Sequence, residues 1–90
     1  MEKKVLNYRI IIEPEKYDDG STVYTAHCPT LNISDYGDTV EEVLKSIQDG
    51  IQLAIDSMAD AGEEILVDHP DKQIIATAQI TTSRRLNISI

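Results

Sequence analysis

Ninety residues at 41% hydrophobic content make one domain with a small core, and a formal charge of −8 argues against a nucleic-acid-binding surface, because phosphate recognition relies on Lys and Arg. Cys28 is the only cysteine, which excludes an intrachain disulfide and argues against a secreted scaffold. No stretch approaches the roughly 20 apolar residues of a membrane helix, and Asn7 and Arg9 break the apolar run after Lys3 and Lys4, so the expectation is a cytoplasmic protein with no membrane partner.

Residues 5–13 alternate: Leu6, Tyr8, Ile10 and Ile12 share one face, read as inward, and Val5, Asn7, Arg9, Ile11 and Glu13 share the other. Pro14 is expected to end regular pairing, and Asp18-Asp19-Gly20 forms a turn with glycine available for a positive φ. Residues 22–28 form a second strand that Pro29 closes. Tyr24, Ala26 and Cys28 are taken as its inner face in preference to Val23, Thr25 and His27. Residues 31–36 make a short third strand leading to Gly37.

A helix follows over residues 39–61. Thr39 and Glu42 form a capping box, in which the threonine oxygen and the glutamate carboxylate each satisfy an amide that the first turn leaves free. Val40, Val43, Leu44, Ile47, Ile51, Ala54, Ile55 and Met58 follow the spacing of one apolar stripe, with Leu44 and Ile51 in its middle. Gly62 stands where a left-handed C-terminal cap belongs. Beyond it, residues 64–67 suggest a short strand and His69-Pro70-Asp71 a turn. Residues 73–90 alternate again: Ile74, Ala76, Ala78 and Ile80 align on one face, then Leu86, Ile88 and Ile90, with Ser83-Arg84-Arg85 as a turn between. The fold class is α+β: an antiparallel three-stranded meander, one long amphipathic helix, then further C-terminal strands. Residues 1–70 form the main unit, and residues 71–90 add strands to it or pair with another protomer.

Candidate chemistry is sparse. Glu13, Asp18, Asp19, Asp35 and Asp38 sit at strand ends or turns, where acidic residues are ordinary; a Mg²⁺ site would need several of them to converge. His27 and Cys28 are adjacent in a strand, so their side chains diverge and cannot form a nucleophile–base pair. Cys28 reads as a core residue and His69 as a turn residue. Glycine-rich phosphate loops, zinc spacings and a Ser-His-Asp arrangement are absent, so no catalytic residue, metal or cofactor is assigned. Ile11 on the outward strand face, Leu53 on the polar side of the helix, Val5 and Ile75 are candidate contacts between protomers.

Asp19-Gly20, Pro29, Leu31, Gly37-Asp38-Thr39-Val40-Glu41-Glu42, Leu44, Ile51 and Gly62 occur in an order and at intervals that resemble the HicB-like antitoxin family. The resemblance covers residues 10–62. It departs from the family where Thr30-Leu31-Asn32-Ile33-Ser34 follows Pro29, and where Glu64-Ile65-Leu66-Val67 follows the helix. It implies a partial ribonuclease H-like β-β-β-α-β unit without a catalytic carboxylate set. It also implies a non-enzymatic antitoxin that covers a small basic RNA-cleaving toxin, HicA-like; the acidic turns and the charge of −8 nominate Asp18, Asp19, Asp35, Tyr36 and Asp38 as partner-binding residues. Residues 71–90 cannot hold the family's usual C-terminal DNA-binding helices, so no direct DNA contact is expected. Two alternatives remain: a metal-dependent nuclease using Glu13, Asp35 and Asp38, and an oligomeric scaffold without a toxin. A homo-oligomer, dimer or higher, is expected, because so small a core leaves apolar surface to bury.

Overall fold

Short connections between β-forming stretches favour an antiparallel meander, and the computed structural model, which describes residues 3–69 and 72–89, contains one. β1 (Ile11–Lys16), β2 (Thr22–Cys28) and β3 (Ile33–Gly37) pair in that order, and α1 (Val40–Asp60) follows. Register runs from Ile11 opposite His27 to Lys16 opposite Thr22, and from Tyr24 opposite Gly37 to Cys28 opposite Ile33. Gly20, at φ 89°, closes the first turn, and Asn32, at φ 53°, sits in the second.

The inner face of β2 is the one expected: Ala26 and Cys28 are buried, with Tyr24 packed beside them. They meet Val43, Ile47 and Ile51, one helical turn apart on α1. Gly37 permits this approach, since a Cβ there would lie 3.1 Å from the Val43 backbone nitrogen. The helix packs on β3 and β2 rather than on β1. The buried stripe is consequently narrower than the sequence suggests. Leu44, expected at its centre, is 42% exposed, and Val40 is also exposed.

The C-terminal end of α1 matches its capping signal, and the N-terminal end matches in one of the two expected bonds, the glutamate turning to the amide before the cap. The Glu42 amide donates to Thr39 Oγ1 at 3.0 Å, while the Glu42 carboxylate accepts from the Asp38 amide at 3.3 Å. Gly62, at φ 72°, donates to the Ala59 carbonyl and Glu63 to the Met58 carbonyl, a Schellman closure.

Three expectations are corrected. Pro14 does not end β1; it lies within it opposite Tyr24, because β1 is an edge strand and a missing N–H on its open side costs no ladder bond. Residues 5–10 have the expected alternation, and Tyr8, Ile10 and Ile12 pack on the core. They form no ladder, however, since β2 ends at Cys28, and Leu6 is 42% exposed. Neither residues 64–67 nor 73–89 are strands. The segment after the helix instead runs back to residues 8 and 9 through single bonds: the Tyr8 hydroxyl donates to the Leu66 carbonyl at 2.7 Å, and the Arg9 amide to an Asp68 carboxylate oxygen at 2.7 Å. Lys72 N–H donates to the His69 carbonyl at 2.9 Å across the expected turn, of which Pro70 and Asp71 lie outside the described residues, as does Ile90. Residues 72–89 are exposed throughout, with a bend at Arg84.

Candidate functional site

Antiparallel register sorts the residues of the sheet onto two faces. Residues paired with the inner positions of β2 turn toward the helix: Ile33 opposite Cys28, Asp35 opposite Ala26, Gly37 opposite Tyr24. The other set lies on the face that α1 leaves uncovered. It comprises a row of Ile11, His27 and Ser34, and a row of Glu13, Thr25 and Tyr36. His27 Nδ1 and Ser34 Oγ lie 2.6 Å apart as a cross-strand pair. Tyr36 is 73% exposed and Ile11 is 43% exposed. A shallow concavity of about 410 Å³ opens here beside Thr25, His27, Ser34 and Tyr36.

The topology also gathers acidic groups at one end of the sheet. The β1–β2 turn carrying Asp18 and Asp19 lies at the same end as the exit of β3, where Asp38, Glu41 and Glu42 lead into α1. Carboxylates in a helix's first turn are stabilised by its free amides. Asp19 accepts from the Ser21 hydroxyl at 2.6 Å and from the Ser21 amide at 2.9 Å; these two bonds, the hydroxyl first, hold its carboxyl below the usual range. Asp18 and Asp38 are exposed.

Asp35 stands apart from this group. Its carboxylate accepts from the Ser46 hydroxyl on α1 and from the Tyr36 amide at 2.8 Å, and those bonds, Ser46 first, lower its pKa. Thus Asp35 links β3 to the helix, while Tyr36 next to it points to the opposite face. The five nominated residues therefore divide three ways: Asp18, Asp19 and Asp38 at the acidic end, Tyr36 on the uncovered face, and Asp35 toward the helix. The sequence sets Thr25 and His27 on the outward face of the second strand and gives no role to them or to Ser34. The alternation that puts Ala26 and Cys28 inside puts His27 and Thr25 outside, but only the register adds Ser34 and Tyr36.

A nuclease site would need Glu13, Asp35 and Asp38 to converge. Among the described residues no three of His, Cys, Asp and Glu are grouped to hold a metal ion. Glu13 lies on the sheet face opposite to Asp35. Cys28 is a buried free thiol.

The candidate protomer contacts do not share a surface either. Ile11 is on the uncovered sheet face, Leu53 on the outer side of α1 at 73% exposure, and Ile75 in the C-terminal segment at 84% exposure. A different opening is better formed. Because α1 sits over β2 and β3, a groove of about 450 Å³ remains between residues 4–10 and the helix, walled by Leu6, Tyr8, Ile10, Leu44, Ile51 and Ile55.

Comparisons with protein-family models, with curated proteins and with solved structures find no match.

Proposed function

We propose that this chain is a non-enzymatic binding protein of the antitoxin kind, which neutralises a small basic RNA-cleaving partner, HicA-like, by covering its basic surface. The supporting observation is the placement of Asp18, Asp19, Asp38, Glu41 and Glu42 toward one end of the sheet, the end at which β3 presents the exposed Tyr36. Carboxylates there steer a cationic surface to the right end of the molecule, and such steering acts mainly on the association rate. Tyr36 and Ile11 supply apolar area that loses water on contact, the kind of anchor that slows dissociation. The ordered resemblance over residues 10–62 supports the same reading, with a partial ribonuclease H-like unit; a cytoplasmic setting is part of the proposal.

Affinity capture from the source cells with the tagged full chain tests this. The expected result is a small basic protein whose RNA cleavage the chain inhibits. Substituting Asp18 and Asp38 by Lys should then slow association and flatten its salt dependence. If capture recovers no basic protein, the oligomeric scaffold reading replaces this one, favoured by the exposed apolar segment 73–89.

A further inference from the structure

We infer that residues 73–89 form an exchange arm that docks in the groove between residues 4–10 and α1 of a second copy of this chain. The protomer is far from closed. Its accessible surface is 8179 Å², whereas a compact chain of 10.0 kDa exposes about 5,200 Å². Its radius of gyration is 17.8 Å, against about 12 Å for a compact domain of this length. The excess of roughly 3,000 Å² exceeds the ~1,600 Å² that a standard stable interface buries in total.

The arm has the composition of a strand. Residues 73–89 contain no Gly or Pro and are rich in Ile and Thr. Ile74, Ile75, Ile80 and Ile88 are 94, 84, 83 and 69% exposed, which no isolated chain retains without cost. Among the described residues, the hydrogen bond found within 74–89 is a local one, from the Arg84 amide to Thr82 Oγ1 at 3.1 Å. The arm begins at Gln73, whose side-chain oxygen accepts from the Arg9 guanidinium; beyond it the segment is in no ladder, and neither are residues 5–10, where the Arg9 amide is bonded to Asp68.

The area left exposed, more than a standard interface needs, points to a second copy as the occupant, and the overall charge distribution favours it. All 16 Asp and Glu precede the arm, while Lys72, Arg84 and Arg85 are the charged groups of residues 72–90. A net charge of −8 is therefore divided between an acidic body and an arm of opposite sign, so the chain is complementary to itself. The groove supplies the apolar wall for Ile74, Ala76, Ala78 and Ile80. Reciprocal exchange closes a two-fold dimer. This pairing does not depend on the basic partner proposed above.

Light scattering of the full chain at tens of micromolar tests the inference, with two variants in the full chain. The arm variant carries Ile74→Glu and Ile80→Glu; the groove variant carries Leu6→Glu and Leu44→Glu, positions exposed enough to leave the core intact. The parent should have the mass of a dimer, and each variant alone that of one protomer with its helical circular dichroism retained. Mixed one to one, the variants should re-form a heterodimer by native mass spectrometry, since one keeps the intact groove and the other the intact arm. A monomeric parent, whether extended or closed on its own arm, overturns the inference. So does an assembly that the arm variant leaves unchanged, or a mixture that stays monomeric.

Discussion

Replacing Ile47 by Ala tests the packing of the helix most directly. Ile47 is fully buried in a core of Ala26, Cys28, Val43, Ile47 and Ile51, with a helical turn of buried residues on each side. Removing roughly three carbons forfeits about 2.4 kcal/mol of transfer energy at ~0.8 kcal/mol each. The cavity adds to this, because neighbours on a strand and a helix cannot collapse into it, giving about 3–4 kcal/mol. A domain of this size is stable by roughly 5–10 kcal/mol, so the loss is a large fraction of the whole. Leu44→Ala is the control. With Leu44 42% exposed over an open groove, only about half its transfer energy is at stake and no closed cavity forms, so the cost is about 1 kcal/mol in a dilute protomer. Urea denaturation followed by helical circular dichroism, at low protein concentration, gives both values. Equal costs at the two positions, or a cost below about 1 kcal/mol for Ile47→Ala, would refute the orientation of α1.

Thr39→Ala should cost about 1 kcal/mol in the same assay, through loss of the bond to the Glu42 amide. Gly50→Ala should stabilise by about 0.5–1 kcal/mol, because Gly50 is inside the helix and an added Cβ would meet nothing within 4 Å. Gly62→Ala should destabilise by about 1 kcal/mol from backbone strain alone, since its φ is 72° and the space around it is open. For Asp35, whose folded pKa is lowered by Ser46 and then by the Tyr36 amide, the bonded carboxylate adds stability above its unfolded pKa of about 3.9, and loses it as pH falls through the lower folded value. Ser46→Ala should therefore reduce the drop in urea midpoint between neutral and strongly acidic solution, and an unchanged drop would show that the bond does not matter.

How far the fold is legible in the sequence depends on whether a signal is local. Helix α1 is defined by a period and two caps that are complete within the segment, so its bounds agree to within a residue. The inner face of β2 follows from apolar alternation in the same way. Pro14 reads as a strand end in the sequence because its effect depends on whether β1 has a neighbour on its open side, a non-local fact. The same limit governs residues 5–10 and 73–89. Alternation gives each a face and a propensity, but a ladder needs a partner, and β2 is too short to pair with the first. Leu44 reads as a core residue because the stripe shows which side of a helix is apolar, not how wide a surface lies under it.

The candidate site divides along the same line. Acidic residues in turns are visible one by one, and their gathering at one end follows once the meander is drawn. The uncovered face with His27, Ser34 and Tyr36 needs the register as well, because neighbours across strands are far apart in sequence. Asp35 shows why residue type is a poor guide to role: of the same type as Asp18, Asp19 and Asp38, it is the one tied to the helix. Charge patterning carries more. A uniform acidic chain would need no explanation beyond solubility. Here the acidic groups all stop at residue 71, and an apolar, basic segment begins. Two extended segments without ladder partners lie toward opposite ends of one small chain whose core cannot cover both. A second copy satisfies both at once, and it leaves the acidic end of the sheet open for a different partner.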